Sequence, residues 1–399
     1  MKKIMLLAIP MILLTSLSAW GAAPIKVGAL YPFSGPLAVL GNESFRGLEM
    51  AVEEVNKKGG ILGGRKIELV KGDAIDTNQA VSEARRLISV ANVAFVFGTY
   101  SSSLAFAASQ VTEQAGVPYF ELGAISDPIT QRGFKYLFRT CPNAGIFGMN
   151  SIIALKESIA PALGVPFANL RVAIIHEDSQ YGQSVAAGQV SQAKKEGINV
   201  VEVLPYALAS VDLSSLIMRL RGSKVDVVLQ TSYMNDTVLF FRQAHEAGFK
   251  PKACIGAGGG YSLNDSLKAL GNLFDGAFNV DFTQVNTNPA MAPGIDVYPQ
   301  KYKAKYGSEV NSGHSLVNYF GGLAMLDIVD KAGSLDKDAI RNQAMKTNIP
   351  PGQSVTGWGI KFDETGQNMT NTNLMQWQDG KLLTVWPEKA AVAKIRVKK

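Results

Sequence analysis

Short apolar runs alternate with longer segments whose apolar residues return every three or four positions. That alternation is what most limits the folds open to this chain. Ile25-Lys26-Val27-Gly28-Ala29-Leu30 reads as a buried strand. Gly41 to Lys58 reads as a helix with Phe45, Leu48, Val52 and Val55 on one face. Asn56-Lys57-Lys58-Gly59-Gly60 supplies a cationic last turn and a glycine stop. The same alternation continues through strand Ile67–Val70, helix Asn78–Val90, strand Val93–Phe97, helix Ser103–Gln114 and strand Val117–Phe120. It then restarts with helix Ile146–Ala160, strand Arg171–Ile175, helix Gly182–Lys195, strand Val200–Leu204, helix Leu213–Leu220, strand Val225–Leu229 and helix Asp236–Ala247. Short strand-helix-strand units imply parallel sheets with helices on both faces. The fold class expected is therefore α/β, with two units of similar size in tandem.

Arg139 to Asn143 and Val280 to Thr283 are the candidate crossings between the units. Helices near Ser315–Ala332 and Lys337–Met345 are expected to return to the first. Met375 to Lys381 reads as a strand entering an Asp-Gly turn.

The first residues read as an address. Lys2 and Lys3 precede an apolar run from Ile4 to Leu14, and small residues follow up to Ala23. This is the pattern of a cleavable secretory signal peptide, residues 1–23. The run is too short to span a bilayer comfortably. The mature chain is then exported and soluble, which means the periplasm in a bacterium with two membranes. Export permits disulfides, yet the only cysteines are Cys141 and Cys254, expected as buried free thiols because a core of this size needs no staple.

Several chemistries are missing. The net charge of +6, from 39 basic and 33 acidic residues, is too mild and scattered for nucleic-acid binding. Of the three histidines, neither His176 nor His245 begins a zinc-protease motif, and no CxxC pair occurs. There is no nucleophile elbow and no Walker loop. Gly256-Ala257-Gly258-Gly259-Gly260 is followed by Tyr261, so it fails as a dinucleotide loop and reads as a plain strand-end loop. No metal or cofactor is expected.

Ligands of open α/β sheets sit beyond the carboxyl ends of strands. One such end carries Ser101-Ser102-Ser103 at the start of a helix, suited to a carboxylate or to ordinary capping. A second carries Glu121 and then Gly123-Ala124-Ile125-Ser126, where small residues let backbone amides approach a ligand or form a simple turn. In the second unit, Tyr181 and Tyr233 lie at equivalent ends and offer flat apolar walls or simple packing.

The segment Asn56-Lys57-Lys58-Gly59-Gly60-Ile61-Leu62-Gly63-Gly64-Arg65-Lys66-Ile67 resembles the helix-to-hairpin signature of type I periplasmic solute-binding proteins, the leucine/isoleucine/valine-binding family of ABC importers. Ser34-Gly35-Pro36, Ser101–Ser103, Asp178–Gly182, Phe241–Ala244, Gln376–Lys381 and Val385-Trp386-Pro387 fall in that family's order. The resemblance implies two Rossmann-like lobes joined by three hinge crossings. Lobe 1 would hold 24–140 and about 283–355, and lobe 2 would hold 141–282 and about 356–399. It implies a ligand carboxylate on Ser101–Ser103, backbone contacts from Gly123 to Ser126, and walls from Tyr181 and Tyr233. His314 is a cleft candidate or a structural histidine. Two departures stand out. Ile125 replaces the family's threonine, and Gly258 stands where amino-acid binders carry the acid that pairs with the ligand ammonium. Glu121 or Asp281 would have to compensate, or the solute lacks an ammonium. The family's disulfide does not carry over, because Ile75 and Tyr100 occupy its positions.

The expected function is that of an exported, monomeric receptor. It would bind a branched-chain amino acid or a related small carboxylate or amide and deliver it to an ABC permease and ATPase. The alternatives are a secreted hydrolase and a ligand-sensing module.

Overall fold

The computed structural model describes residues 23–397, so the expected leader lies outside the described residues up to Ala22. Two sheets form the frame. The first has strand order β2-β1-β3-β4-β5, built from β1 Ile25–Tyr31, β2 Ile67–Asp73, β3 Val96–Gly98, β4 Tyr119–Glu121 and β5 Leu137–Arg139. All its pairings are parallel. The second has order β12-β11-β10-β9-β8-β6-β7. Its strands are β6 Arg171–Glu177, β7 Asn199–Tyr206, β8 Val227–Thr231, β9 Ala253–Gly256, β10 Phe278–Asp281, β11 Asn373–Gln378 and β12 Lys381–Trp386. It is parallel from β7 to β10, and β11 and β12 complete it antiparallel. The architecture is α/β with parallel-rich sheets.

The chain passes between the sheets after β5, after β10, and again between helix Lys337–Lys346 and β11. Between the last two passages, helix His314–Ala332 lies along helix Ala38–Lys57 beside the first sheet. Their backbones touch at Gly47, where a Cβ would fall 1.9 Å from the Ser315 carbonyl oxygen. Gly47 is therefore required by helix packing rather than by turn geometry.

Three segments depart from the sequence reading. Val280 and Asp281 finish β10 rather than forming a crossing. The helix from Ala144 converts at Leu155–Ile159 to a π-turn before the short helix Ala160–Leu163. Pro161, without an N–H, fits a register change better than a continuous ladder. Helix Tyr298–Tyr306 has no readable apolar stripe. It is anchored by tyrosine hydroxyls instead: Tyr302 donates to Glu43 at 2.6 Å and Tyr306 to Glu49 at 2.7 Å. Both cysteines are free, Cys141 buried and Cys254 partly so. Burial pushes the Cys254 thiol up to about 12, so it stays unreactive.

Candidate functional site

The carboxyl ends of the strands in both sheets face each other across a narrow cavity of about 20 Å³, room for about one water molecule, so the lobes must part to admit a solute. Leu40, Tyr100, Ser102, Gly123, Ile125 and His314 line one side, and Phe147, Tyr181, Tyr233, Ala257, Gly258, Gly259 and Asp281 the other, with Phe282 at the second crossing.

Glu121 builds the first wall. Its buried carboxylate accepts the N–H groups of Thr99 (2.8 Å), Tyr100 (3.3 Å), Leu122 (3.0 Å), Gly123 (2.9 Å) and Ala124 (2.7 Å). The Tyr119 hydroxyl adds a sixth donor at 3.2 Å. Burial raises this carboxyl above the usual carboxylate range, against the pull of those N–H groups. One of the residues held is Tyr100, at φ 66°, a left-handed conformation that costs energy for a residue with a side chain. Glu121 thus organises two strand-end loops and leaves no lone pair for a solute. This removes it as a substitute acid.

Ser102 opens helix Ser102–Ala115 and is buried. Its oxygen accepts the Ser126 N–H at 3.2 Å, which leaves its proton for a ligand oxygen beside the positive end of the helix. Ser101 is buried and Ser103 half-buried, but neither reaches the cavity lining. Ala124 and Ser126 also lie off it. Their carbonyls turn to the Arg139 guanidinium at 3.1 and 2.7 Å, and the Ser126 hydroxyl meets Ser184 across the lobes at 2.9 Å.

The second wall is made of side chains. The Tyr181 hydroxyl donates to the Ala257 carbonyl at 2.6 Å, and the Tyr181 and Tyr233 rings pack 5.2 Å apart. Tyr100 reaches over from the first side, its ring 6.5 Å from Tyr233 and 5.9 Å from His314. Its hydroxyl is spent on the Leu37 carbonyl at 2.8 Å. Tyr100 and Tyr181 therefore present rings, not hydroxyls. His314, held down to about 4 by burial, is neutral. Its Nδ1 meets the Ser312 hydroxyl at 3.1 Å.

Asp281 sets a carboxylate beside Gly258. β9 and β10 run parallel with Asn279 opposite Gly256. Two residues further on, Asp281 reaches the level of Gly258. A Cβ on Gly258 would lie 3.1 Å from Asp281 Oδ1, and Gly258 itself has φ 79°. Glycine at 258 therefore makes room for the carboxylate of the neighbouring strand, and a Gly258→Glu chain would collide with it. Asp281 Oδ2 accepts from Ser262, from Asn279 at 3.2 Å and from Gln284 at 3.0 Å. Oδ1 accepts only the Phe282 N–H at 2.6 Å. Burial pushes Asp281 up to about 6, against the pull of those donors.

Sequence reasoning did not place Tyr100, Phe147, Phe282 or Leu40 in the site. Tyr100 was findable, since it directly precedes the serine triplet at a strand end. Phe147 and Leu40 lie on helices, where nothing local marks them. Among the described residues no cluster of potential ligands could hold a metal ion, and no helix is long and apolar enough to cross a membrane.

Two hinged lobes with converging loops around a small, lined cavity define a solute-binding protein of the periplasmic class. The sequence matches the family described as periplasmic binding protein over residues 24–381, and the chain belongs to that family. It is 49% identical over 394 residues to Leu/Ile/Val-binding protein homolog 7 of Brucella suis biovar 1 (strain 1330), covering 98% of each chain. It is 51% identical over 379 residues to homolog 8 of Brucella abortus (strain 2308), covering 94% of each. In fold it is similar to a leucine-binding protein from Thermotoga maritima, with TM-score 0.79, 21% identity, and 90% of this chain and 97% of that one covered. A solute-binding protein from R. palustris in complex with benzoate gives TM-score 0.76 at 20% identity, covering 94% and 98%. The relatives are solute-binding proteins of the branched-chain amino acid ABC transporter type. The family location is periplasmic, and the protein is not an enzyme, which corrects the hydrolase alternative.

Proposed function

We propose that the protein is the monomeric, exported receptor of an ABC importer and that its solute is a small α-amino acid with an apolar side chain. The observation that carries this reading is the pairing of Ser102 on one wall with Asp281 on the other. The solute carboxylate would take the Ser102 hydroxyl and the N–H groups at the start of helix Ser102–Ala115. Its ammonium would take the remaining lone pair of Asp281 Oδ1. An ammonium left without that carboxylate would be costly to bury. The side chain would fill the space among Tyr100, Tyr181, Tyr233 and Phe147. Contacts between the lobes at Ser126 and Ser184 then favour the closed form, which docks on a permease.

A second reading has one specific support. Asp281 is already held by four donors within the chain, so its charge is compensated without a ligand, and an aromatic acid lacking an ammonium is also compatible with the ring-lined cavity. Calorimetric titration with leucine, isoleucine, valine, benzoate and 4-hydroxybenzoate separates the two. Tight binding of an amino acid with no heat from the benzoates supports the first. The reverse pattern supports the second, and no binding of any of the five sinks both. Stimulation of ATP hydrolysis by a reconstituted permease complex tests the transport role, and a lack of stimulation favours sensing.

A further inference from the structure

Arg139 ends β5, and its side chain is fully buried. Its four hydrogen-bond acceptors are all neutral: the carbonyls of Ala124 (3.1 Å) and Ser126 (2.7 Å), the Thr130 hydroxyl (3.4 Å) and Gln367 Oε1 (2.5 Å). A buried cation without a contacting carboxylate is expensive, and here the fork of the guanidinium bridges segments far apart in the chain.

On one side lies the loop 123–126, whose Gly123 and Ile125 line the cavity and whose Ser126 hydroxyl meets Ser184. On the other lies Gln367, in the third passage between the sheets. Gln367 Nε2 donates in turn to the Cys141 carbonyl at 2.8 Å, in the first passage. Its neighbour Asn368 donates to the Thr140 carbonyl at 2.9 Å. Backbone bonds close the knot, with Arg139 N donating to Gly366 O and Asn368 N to Arg139 O, both at 2.9 Å. The Ile125 carbonyl accepts the N–H of Ala144, which opens the first helix of the second lobe, at 2.7 Å.

We propose that Arg139 is a positioning residue for lobe closure, tying the ligand-facing 123–126 loop to the first and third hinge passages so that a solute pressing on Gly123 and Ile125 is felt at the hinge. The role differs from simple stabilisation, because the groups joined are the cavity wall and the segments that must bend. Lysine at 139 keeps the charge but cannot fork across two carbonyls and an amide.

The test uses the full mature chain with R139K, Q367L and the double variant. Isoleucine and benzoate serve as probes, and melting temperature and small-angle scattering are recorded with and without each. Both single variants should lose about tenfold in affinity for the bound probe. Both should increase the radius of gyration of the ligand-free protein, and the double variant should be no worse than the weaker single. If melting temperature falls while affinity and radius stay at wild-type values, Arg139 is only a structural group and the proposal is overturned. Should R139K fail to fold, Q367L alone decides by the same two readouts. If neither probe binds the wild type, the amino-acid reading above fails separately, and the ligand-free radius still tests the hinge.

Discussion

The two walls of the cavity are built by opposite means. The first lobe offers backbone and small side chains, gathered by one buried glutamate. The second offers rings and a carboxylate, with a glycine that makes room for it. Both lobes use a glutamate at a strand end, Glu121 closing β4 and Glu177 closing β6. They differ in reach. Glu121 accepts five backbone N–H groups from two loops. Glu177 accepts the N–H and hydroxyl of Ser179 and the N–H of Gly182 (each at 2.7 Å), all at the start of its own helix. A backbone wall recognises what every carboxylate solute shares, so selectivity must come from the other side.

The largest effect should come from removing the gatherer. Glu121→Ala would take the acceptor from five buried N–H groups and the Tyr119 hydroxyl and release Tyr100 from its left-handed conformation. A stability loss of at least about 3 kcal/mol is expected, with binding abolished. Glu177→Ala should cost only about 1–2 kcal/mol, because it holds three donors rather than six and two of them belong to the half-buried Ser179. Urea denaturation of the two variants side by side checks this. Equal losses would break the asymmetry.

Next in size is Asp281→Asn. Affinity for an amino acid should fall about a hundredfold, as expected when one member of a buried charge pair is removed. Benzoate, if it binds, should change less than about threefold. The pH dependence has a definite sign. Asp281 sits near 6 without a ligand, and an ammonium beside it lowers that value, so binding releases a proton below it. Amino-acid affinity should then be flat above pH 7 and fall by up to about tenfold per unit below pH 6. His314, near 4, stays neutral through that window. Titration calorimetry from pH 5 to 8 reads the slope, and a flat profile for amino acids would remove Asp281 from the ammonium site.

This contrast also explains what the sequence could reveal. Strand and helix succession was legible, because period-two and period-3.6 patterns are local. The first wall was legible in outline, since Ser102, Gly123 and Ile125 follow strands directly. The role of Glu121 was not, because nothing in its own segment shows that Thr99 and Tyr100 will point their N–H groups at it. Gly258 looked like a lost acid with Glu121 or Asp281 as substitutes, and only the parallel register of β9 and β10 set Asp281 beside it. Helix Tyr298–Tyr306 was missed for a related reason: its anchors, Glu43 and Glu49, lie on helix Ala38–Lys57. Patterns within a segment were readable, whereas pairings between segments were not.

A more modest effect is expected from the shared end of the solute. Ser102→Ala should weaken every carboxylate ligand by about tenfold, the worth of one charge-assisted hydrogen bond. It should do so equally for amino acids and benzoates. Tyr181→Ala, on the other wall, should alter the ranking among ligands instead. Loss of discrimination in Ser102→Ala would place selectivity on the wrong lobe.

The smallest effect tests whether the walls meet as described. Ser126 and Ser184 face each other with their hydroxyls 2.9 Å apart, one from each lobe, and neither lines the cavity. A single hydrogen bond of this kind contributes about 0.5–1.5 kcal/mol. Ser126→Ala and Ser184→Ala should therefore each weaken binding about two- to tenfold, and by the same factor for any ligand. The Ser126 hydroxyl also donates to Gln180 Oε1 at 3.4 Å, so Ser126→Ala should cost slightly more than Ser184→Ala, and the double variant should match Ser126→Ala. The loss should appear in the dissociation rate, since the bond exists only once the lobes have closed. Stopped-flow measurements on the three variants decide it. Additive losses would mean that each serine contacts something other than its counterpart, and a change confined to association would mean that the contact forms before closure.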